Sequence, residues 1–564
     1  MTERPPDPAA GPAGARPEAD GDDPVAPPGA GPRSVVHRLF IVGGAFGLAI
    51  ALLVGLWVSR LHVRHSVIVQ MEETWVPGRS VAVRSQLLDR ELHGIEGVEV
   101  DVRMEVEGGA AIELGRLAAV RRSGVAQGRF LVPSAPLGPA TAVLRYTAPS
   151  ITSFEERVPI VVAAERKVRK PRHTVSGSTL QWADDTQPQP SSVRIVLRPE
   201  GRIVAGFVNR FVVRVTDPQG VPMRREVDVR LVDGEFAGLR GDPTAPPRIT
   251  LGATDDLGLL FFEGALASEV VRIDARVLDQ ESLADATRTF RLVSYAGAVD
   301  LRAEPRGAFA GDPVTVRALA LRARRPVFVD VFDTQGAWID TLDPFDDRVL
   351  ERVWIHPAAE SGLVQFEGYH FTNNPGESTA VARVQLVDGT PDDPASLAPL
   401  VEQAKARLSL PHVERDFDAK LEAKYLDFVT VRARTPHQVA RARRYLLGTL
   451  PVEVFGPPTA LVTRPREEAA LAARKHAWRI GLRIYLLGGG ALFLVALSVS
   501  LVRGQRRLAD ATAAEMARDG DPLDPETVAA LDRARRSVLL RGLGVVAVMA
   551  CALVLTLAML ESLL

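Results

Sequence analysis

The 564-residue sequence predicts a mainly β chain held at a membrane by three helices. Three observations carry this expectation. Apolar runs free of charge stand at 39–58, 484–502 and 542–560. From about residue 66 to 390, apolar and polar residues alternate with period two in short runs separated by turn signals, the mark of strands with one buried face. Between 391 and 478 helical spacing enters, so a small α+β element is expected beside the membrane.

Taken in order, residues 1–36 are rich in Pro, Gly, Ala and Asp and lack apolar periodicity, which predicts a disordered cytoplasmic tail. The first transmembrane helix is expected over 37–60. Its 20-residue core, LFIVGGAFGLAIALLVGLWV, matches the ~20 residues needed to cross a hydrocarbon layer. A long flank before it and no small-residue cleavage site after it favour an uncleaved signal-anchor. Alternating runs at 81–87, 98–106, 211–217, 227–233, 270–279 and 314–321 then predict strands. They group into domains 66–165, 193–295 and 298–390, with a basic and polar linker over 166–192. In 227–233 the expected parity is Val227, Val229 and Leu231 inward, Asp228 and Arg230 outward. The Asp-X-X-Gly sequences at 217–220, 255–258 and 333–336 read as turns.

In 391–478 a helix is expected over 395–408 and a strand over 425–434. Thr435 and Pro436 then serve as N-cap and first residue of a helix ending at Gly448, and 452–455 is a short strand. The second and third transmembrane helices are placed at 480–502 and 542–561. The loop between them, 503–541, is expected to hold two short helices, 508–518 and 525–536. It carries eight Arg, so the positive-inside rule makes it cytoplasmic and puts 62–478 outside. Arg60, Arg64 and the cluster Arg474, Lys475, Arg479 and Arg483 oppose that orientation, but long domains translocate largely regardless of flanking charge. The location that follows is the inner (cytoplasmic) membrane, multi-pass, with a large extracytoplasmic part.

The strands also form a weak threefold repeat, with a turn leading into a strand at 77–83, 206–213 and 311–318. TDPQGVPMRREVDVRLVDG (216–234) followed by TDDLGLLFFEG (254–264) resembles tandem Ig-like β-sandwich modules, of the bacterial Ig-like and macroglobulin types, over about 75–390. The resemblance implies fold, not activity. It also departs from the macroglobulins in one respect. Their protease trap uses a Cys–Gln thioester, and the single Cys here, Cys551, lies in the third apolar run.

Charge and motif content narrow the function. Lys and Arg total 68 against 69 Asp and Glu, which argues against nucleic-acid binding. The spacings of zinc proteases, serine hydrolases, phosphate loops and dinucleotide sites are absent, so no catalytic or cofactor residue is nominated. Two clusters remain. Asp340, Asp343, Asp346, Asp347 and Glu351 are candidates for calcium, although their spacing lacks the central Gly of a calcium loop and a solvated turn is the plainer reading. Arg166, Lys167, Arg169, Lys170, Arg172 and His173 are candidates for an anion-binding patch facing lipid phosphates or an anionic wall polymer, the plainer reading being a flexible linker. Trp354 to His356 with Tyr369 and His370 read as core Trp and strand-edge His rather than a binding patch. The expectation is a non-enzymatic envelope protein that contacts membrane lipid and a protein or cell-wall partner. The alternative is an accessory subunit of a transport, secretion or sensory complex.

Overall fold

The structure, a computed structural model, describes residues 33–121, 123–149, 151–174, 182–183, 192–278, 286–321, 326–345, 350–370, 379–408, 417–519 and 525–563. The expected tail therefore lies outside the described residues except for 33–36. Two compact units are present, Val63–Glu467 and a helical unit formed by Met1–His62 with Glu468–Leu564.

Val63–Glu467 is mainly β, and the alternation in sequence explains why. Each predicted run forms a strand that gathers apolar residues on a common face, and in Val208–Thr216 Val212 is buried on the other face as well. In Glu99–Val106, Val100, Val102 and Met104 are buried, while the residues between them face outward. The first module is one nine-stranded sheet running from Thr74–Trp75 through Ile151–Val162 and Ser80–Asp89 to His65–Met71, and ending on Thr459–Val462. It curls so that Val67, Val83, Leu144 and Val158, from distant strands, share a core. The second module has a five-stranded and a three-stranded sheet, and Phe211 and Val213 of one meet Val229 and Ile273 of the other. The third repeats this arrangement, with Val316 and Trp354 against Val329 and Phe366.

The three Asp-X-X-Gly turns have one geometry. Asp217, Asp255 and Asp333 each accept the N–H groups two and four residues on, at 2.8–2.9 Å. Gly220, Gly258 and Gly336 sit at φ 86°, 73° and 77°, a left-handed conformation that L side chains rarely adopt.

Parity in Glu226–Asp233 is as expected, with Val227, Val229 and Leu231 fully buried. Asp228 is on the opposite face but is not exposed, because Arg230 and Arg248 fold over it at 2.7 and 2.8 Å. A further expectation is corrected. Residues 425–434 are not a strand. They belong to helix Ala419–Arg432, capped by Asp418, with Tyr425, Leu426 and Val429 buried on one helical face. The helix Pro436–Thr449 forms with a capping box between Thr435 and Gln438. Together with Ala398–Ala406 these helices bury their apolar stripes on Val212, Leu257 and Leu259 of the second module.

In the helical unit three helices are long and apolar enough to cross a membrane, with windows at mean hydropathy 2.1, 2.1 and 2.7. The loop 503–541 does not fold as two separate short helices. Among the described residues, Gly490–Asp519 and Pro525–Leu563 carry the apolar segments straight on through it, because the one proline in 503–519 and 525–541, Pro525, sits in a first turn, where its missing N–H costs nothing, and Gly504 is the one glycine. Small residues set the spacing. A Cβ on Gly55 would fall 2.1 Å from Leu560, and one on Gly490 2.7 Å from Leu553. Ser59, Lys475, Arg483 and Glu561 gather at one end of the bundle, where Lys475 reaches the Ser59 carbonyl at 3.2 Å and Arg483 grips Glu561.

Val229→Asp is expected to destabilise the chain by roughly 4 kcal/mol, since it places a charge in a closed apolar core. Arg230→Ala should cost less than about 1 kcal/mol. Denaturant midpoints of the detergent-solubilised protein decide it. Equal effects would show that the register assigned to this strand is wrong.

Candidate functional site

The charged clusters singled out by sequence converge on the junction of the first and third modules. The third module presents its edge strand Trp338–Thr341 to strands Ser80–Asp89 and Val125–Leu131 of the first. At the centre is Arg84, 1% exposed, forked onto Asp330, which is fully buried, at 2.6 and 3.1 Å. Its remaining N–H groups reach Tyr369 Oη at 2.9 Å, Thr341 Oγ1 at 3.0 Å and Gln127 Oε1 at 2.8 Å. Tyr369 donates its hydroxyl to Asp330, and Gln127 donates to the Leu342 carbonyl at 2.7 Å. All five guanidinium hydrogens thus have acceptors. Burial alone would lower the Arg84 guanidinium, but the Asp330 carboxylate holds it above its ordinary value.

The basic cluster lies over this junction, divided between arginines that bond to the body and lysines that are exposed. Arg166 pairs with Asp333 at 2.5 Å and donates to the Ser80 carbonyl. Arg169 reaches Glu72 at 3.1 Å and the carbonyls of Gly336, Phe455 and Gly456. Arg172 donates to the Pro457 carbonyl at 2.5 Å. Backbone bonds from Arg169 to Gln335 and from Arg172 to Val454 complete the attachment. The stretch 166–172 is thus a strap bonded to the first module, to the Asp333 turn and to 454–457, and not the free linker read from sequence. The rest of the expected linker lies mostly outside the described residues. Lys167, Val168 and Lys170 point outward along a cleft of ≈ 450 Å³ floored by Trp75 and Trp338.

The described members of the acidic cluster, Asp340, Asp343 and Glu351, do not come together. Asp340 is buried and taken up by Arg129 and by the Trp354 indole N–H at 2.8 Å. Burial raises its carboxyl above the usual range in spite of Arg129. Asp343 is exposed, Glu351 pairs with Arg317 at the surface, and Asp346 and Asp347 lie outside the described residues. Phe345 packs into the third core instead. Among the described residues no three His, Cys, Asp or Glu are placed to share a metal ion. Trp354 is a core residue, and His370 faces the Pro326 carbonyl at 3.1 Å. His356 accepts the Ala358 and Glu360 N–H groups at 3.2 Å, and burial, with Arg166 nearby, lowers it to about 4.

A second buried pair ties the helices to the second module. Arg214 meets Glu422 at 2.7 Å and Tyr445 Oη at 2.8 Å. Burial would raise the Glu422 carboxyl, but Arg214 beside it brings it down to about 2. Sequence reasoning missed both pairs, because Arg84 and Arg214 stand at the polar beats of alternating strands and read as solvent-facing. The available signal was Asp330, a carboxylate inside the otherwise apolar FVDVF.

No family model matches the chain, and no curated protein matches it. Similar solved structures include macroglobulins and adhesion proteins. A Salmonella alpha-2-macroglobulin mutant is 11% identical, covering 59% of this chain and 24% of that one, with TM-score 0.15. A tetra-tandem repeat from the extending region of a large adhesion protein is 11% identical, covering 58% and 75%, with TM-score 0.15. The BSP domain of a biofilm-associated protein is 9% identical, covering 58% and 67%, with TM-score 0.18. The chain spans about a quarter of the macroglobulin's length, and likeness at this level decides nothing about activity.

Arg84→Met is expected to cost roughly 3–5 kcal/mol by stranding Asp330 without its cation, while Arg84→Met with Asp330→Leu should recover most of the loss. Chemical denaturation of the three proteins tests this, and a double variant no more stable than the single would refute it. A second expectation concerns pH. An unfolded His356 titrates near 6.5 and the folded one at about 4, so its contribution is intact above pH 6.5 and is lost as pH falls towards 4. The melting temperature should therefore drop more steeply over that range in the wild type than in His356→Asn, whose Oδ1 can take the same two N–H groups. Parallel curves would remove His356 from the account.

Proposed function

We propose that the chain is a non-enzymatic membrane protein of the bacterial envelope, presenting Ig-like sandwich modules to a protein or cell-wall partner. In this reading the three apolar helices span the inner membrane, with the N-terminus and 503–541 in the cytoplasm and 63–467 outside. One observation carries it. Strand His65–Met71, just after the first apolar helix, pairs antiparallel with Thr459–Val462, just before the second, with Ile68 opposite Val462. The β body therefore begins and ends at one place, as a domain tethered to a surface by adjacent helices must. The grouping of Ser59, Arg483 and Glu561 at one end of the helical bundle supports the same topology. The charged groups at the module junction are spent on one another, which favours a rigid binding body over a catalytic one.

A second reading, an accessory subunit of a transport, secretion or sensory complex, is favoured by the helices Gly490–Asp519 and Pro525–Leu563. They run far beyond the apolar segments and would offer a stiff coupling element to a cytoplasmic partner.

Topology is tested with Cys551→Ser carrying a single Cys at Ser34, Ser361 or Thr512. An impermeant maleimide should label only Ser361→Cys in intact cells, and the other two only after permeabilisation. The opposite pattern would invert the orientation. Stoichiometric co-purification with an ATPase or channel from detergent would select the accessory-subunit reading.

A further inference from the structure

A second site stands apart from the strap, where the second module, the third module and the last turn of helix Pro436–Thr449 meet. The cleft there is small, ≈ 80 Å³, well below the ~300 Å³ of pockets that hold drug-sized ligands. It is lined by five guanidinium groups, from Arg202, Arg210, Arg302, Arg306 and Arg383, against two carboxylates, Glu200 and Asp300.

The pairing leaves positive charge over. Glu200, its side chain 1% exposed, is shared between Arg306 and Arg444, each at 2.6 Å. Asp300 serves Arg302 at 3.1 Å. Arg210 meets Glu304 at 3.2 Å and Glu263 at 3.8 Å, but these carboxylates are 62% and 60% exposed and so well screened by water. Arg383 meets no carboxylate at ion-pair distance among the described residues. Its guanidinium donates to Gln365 Oε1 at 2.9 Å and to the carbonyls of Leu450 and Pro451. Arg202 is engaged, lying 4.6 Å over the Tyr295 ring, and does not count among the spare donors. The Nη1 groups of Arg210 and Arg302 have no acceptor among the described residues.

The protonation trend agrees. Burial lowers Arg306, with Arg210 and Arg444 adding repulsion that Glu200 does not cancel. Burial, with Arg407 beside it, lowers Arg383 to about 10. A half-enclosed site with surplus guanidinium forks and no room for a sugar or base matches a tetrahedral oxyanion, whose oxygens take paired N–H donors.

We propose that this cleft binds one tetrahedral oxyanion, inorganic phosphate or the terminal phosphate of a headgroup or polymer unit, and that the anion ties the second and third modules to the helical element. Rigid surroundings favour it. The Gly201 N–H bonds the Gly448 carbonyl at 2.8 Å, and Arg306 and Arg444 converge on Glu200 from the third module and the helix.

The test is equilibrium dialysis of the full-length protein in detergent against labelled inorganic phosphate at constant ionic strength. The expected result is saturable binding of one phosphate per chain, displaced by sulfate and not by chloride. Glycerol phosphate is the second arm. Competition equal to phosphate points to a phosphate carried on a larger molecule, and failure to compete points to the free ion. Arg302→Gln and Arg210→Gln, both at partly exposed positions, should each weaken binding at least about tenfold, the scale of a charge-assisted hydrogen bond. Arg383→Gln should abolish binding. If that variant unfolds by circular dichroism, the Arg302 and Arg210 variants decide. Non-saturable binding, chloride displacing as well as sulfate, or wild-type affinity in both of those variants overturns the proposal.

Discussion

The buried pair of Arg84 and Asp330 is the constraint on which the β body depends. Withdrawing two charges from water costs several kcal/mol each, and their attraction offsets that only when every remaining donor and acceptor is satisfied. Here Tyr369, Thr341 and Gln127 complete the set. Tyr369, Asp330 and Thr341 belong to the third module, and Arg84 and Gln127 to the first. The pair is therefore satisfied only when the two modules dock in one register. A purely apolar contact at this place would hold the modules together without fixing their angle.

The same turn is used twice as a docking handle. Asp255 and Asp333 each spend one carboxylate oxygen capping their own turn. The second oxygen of Asp333 receives Arg166 of the strap, and that of Asp255 receives Arg441 of helix Pro436–Thr449. A local device that shapes a hairpin thus also joins modules. Arg441 and Arg444 further cover Phe261 at 4.6 and 4.3 Å, so the helix is held by charge and by aromatic contact together.

The return of Thr459–Val462 to the first sheet closes the body. It covers the edge of His65–Met71, which would otherwise present unpaired backbone groups. Glu367 acts in the same region, accepting the Phe455 and Gly456 N–H groups at 2.8 and 2.9 Å just before that strand. Burial raises its carboxyl to about 7, so this anchor titrates near neutrality.

Much of this was legible in the sequence because it depends on local periodicity. Alternation placed the strands, Asp-X-X-Gly marked the turns, Thr435–Pro436 opened a helix, and uncharged length marked the three apolar helices. What the sequence could not settle were matters decided by distant partners. Residues 425–434 alternate well enough for a strand, yet the helix forms because its stripe of Tyr425, Leu426 and Val429 finds Leu257 and Leu259 to bury against. Asp228 reads as solvent-facing, yet two Arg from its own and a neighbouring strand close over it. The cluster at 166–172 reads as one patch of charge, yet its arginines are consumed by Asp333, Glu72 and backbone carbonyls while its lysines remain outside. Period and composition state which residues are able to be buried or charged. Which of them meet is set by packing between segments that can stand 285 residues apart, as Arg172 and Pro457 do, and that information exists only in the folded chain.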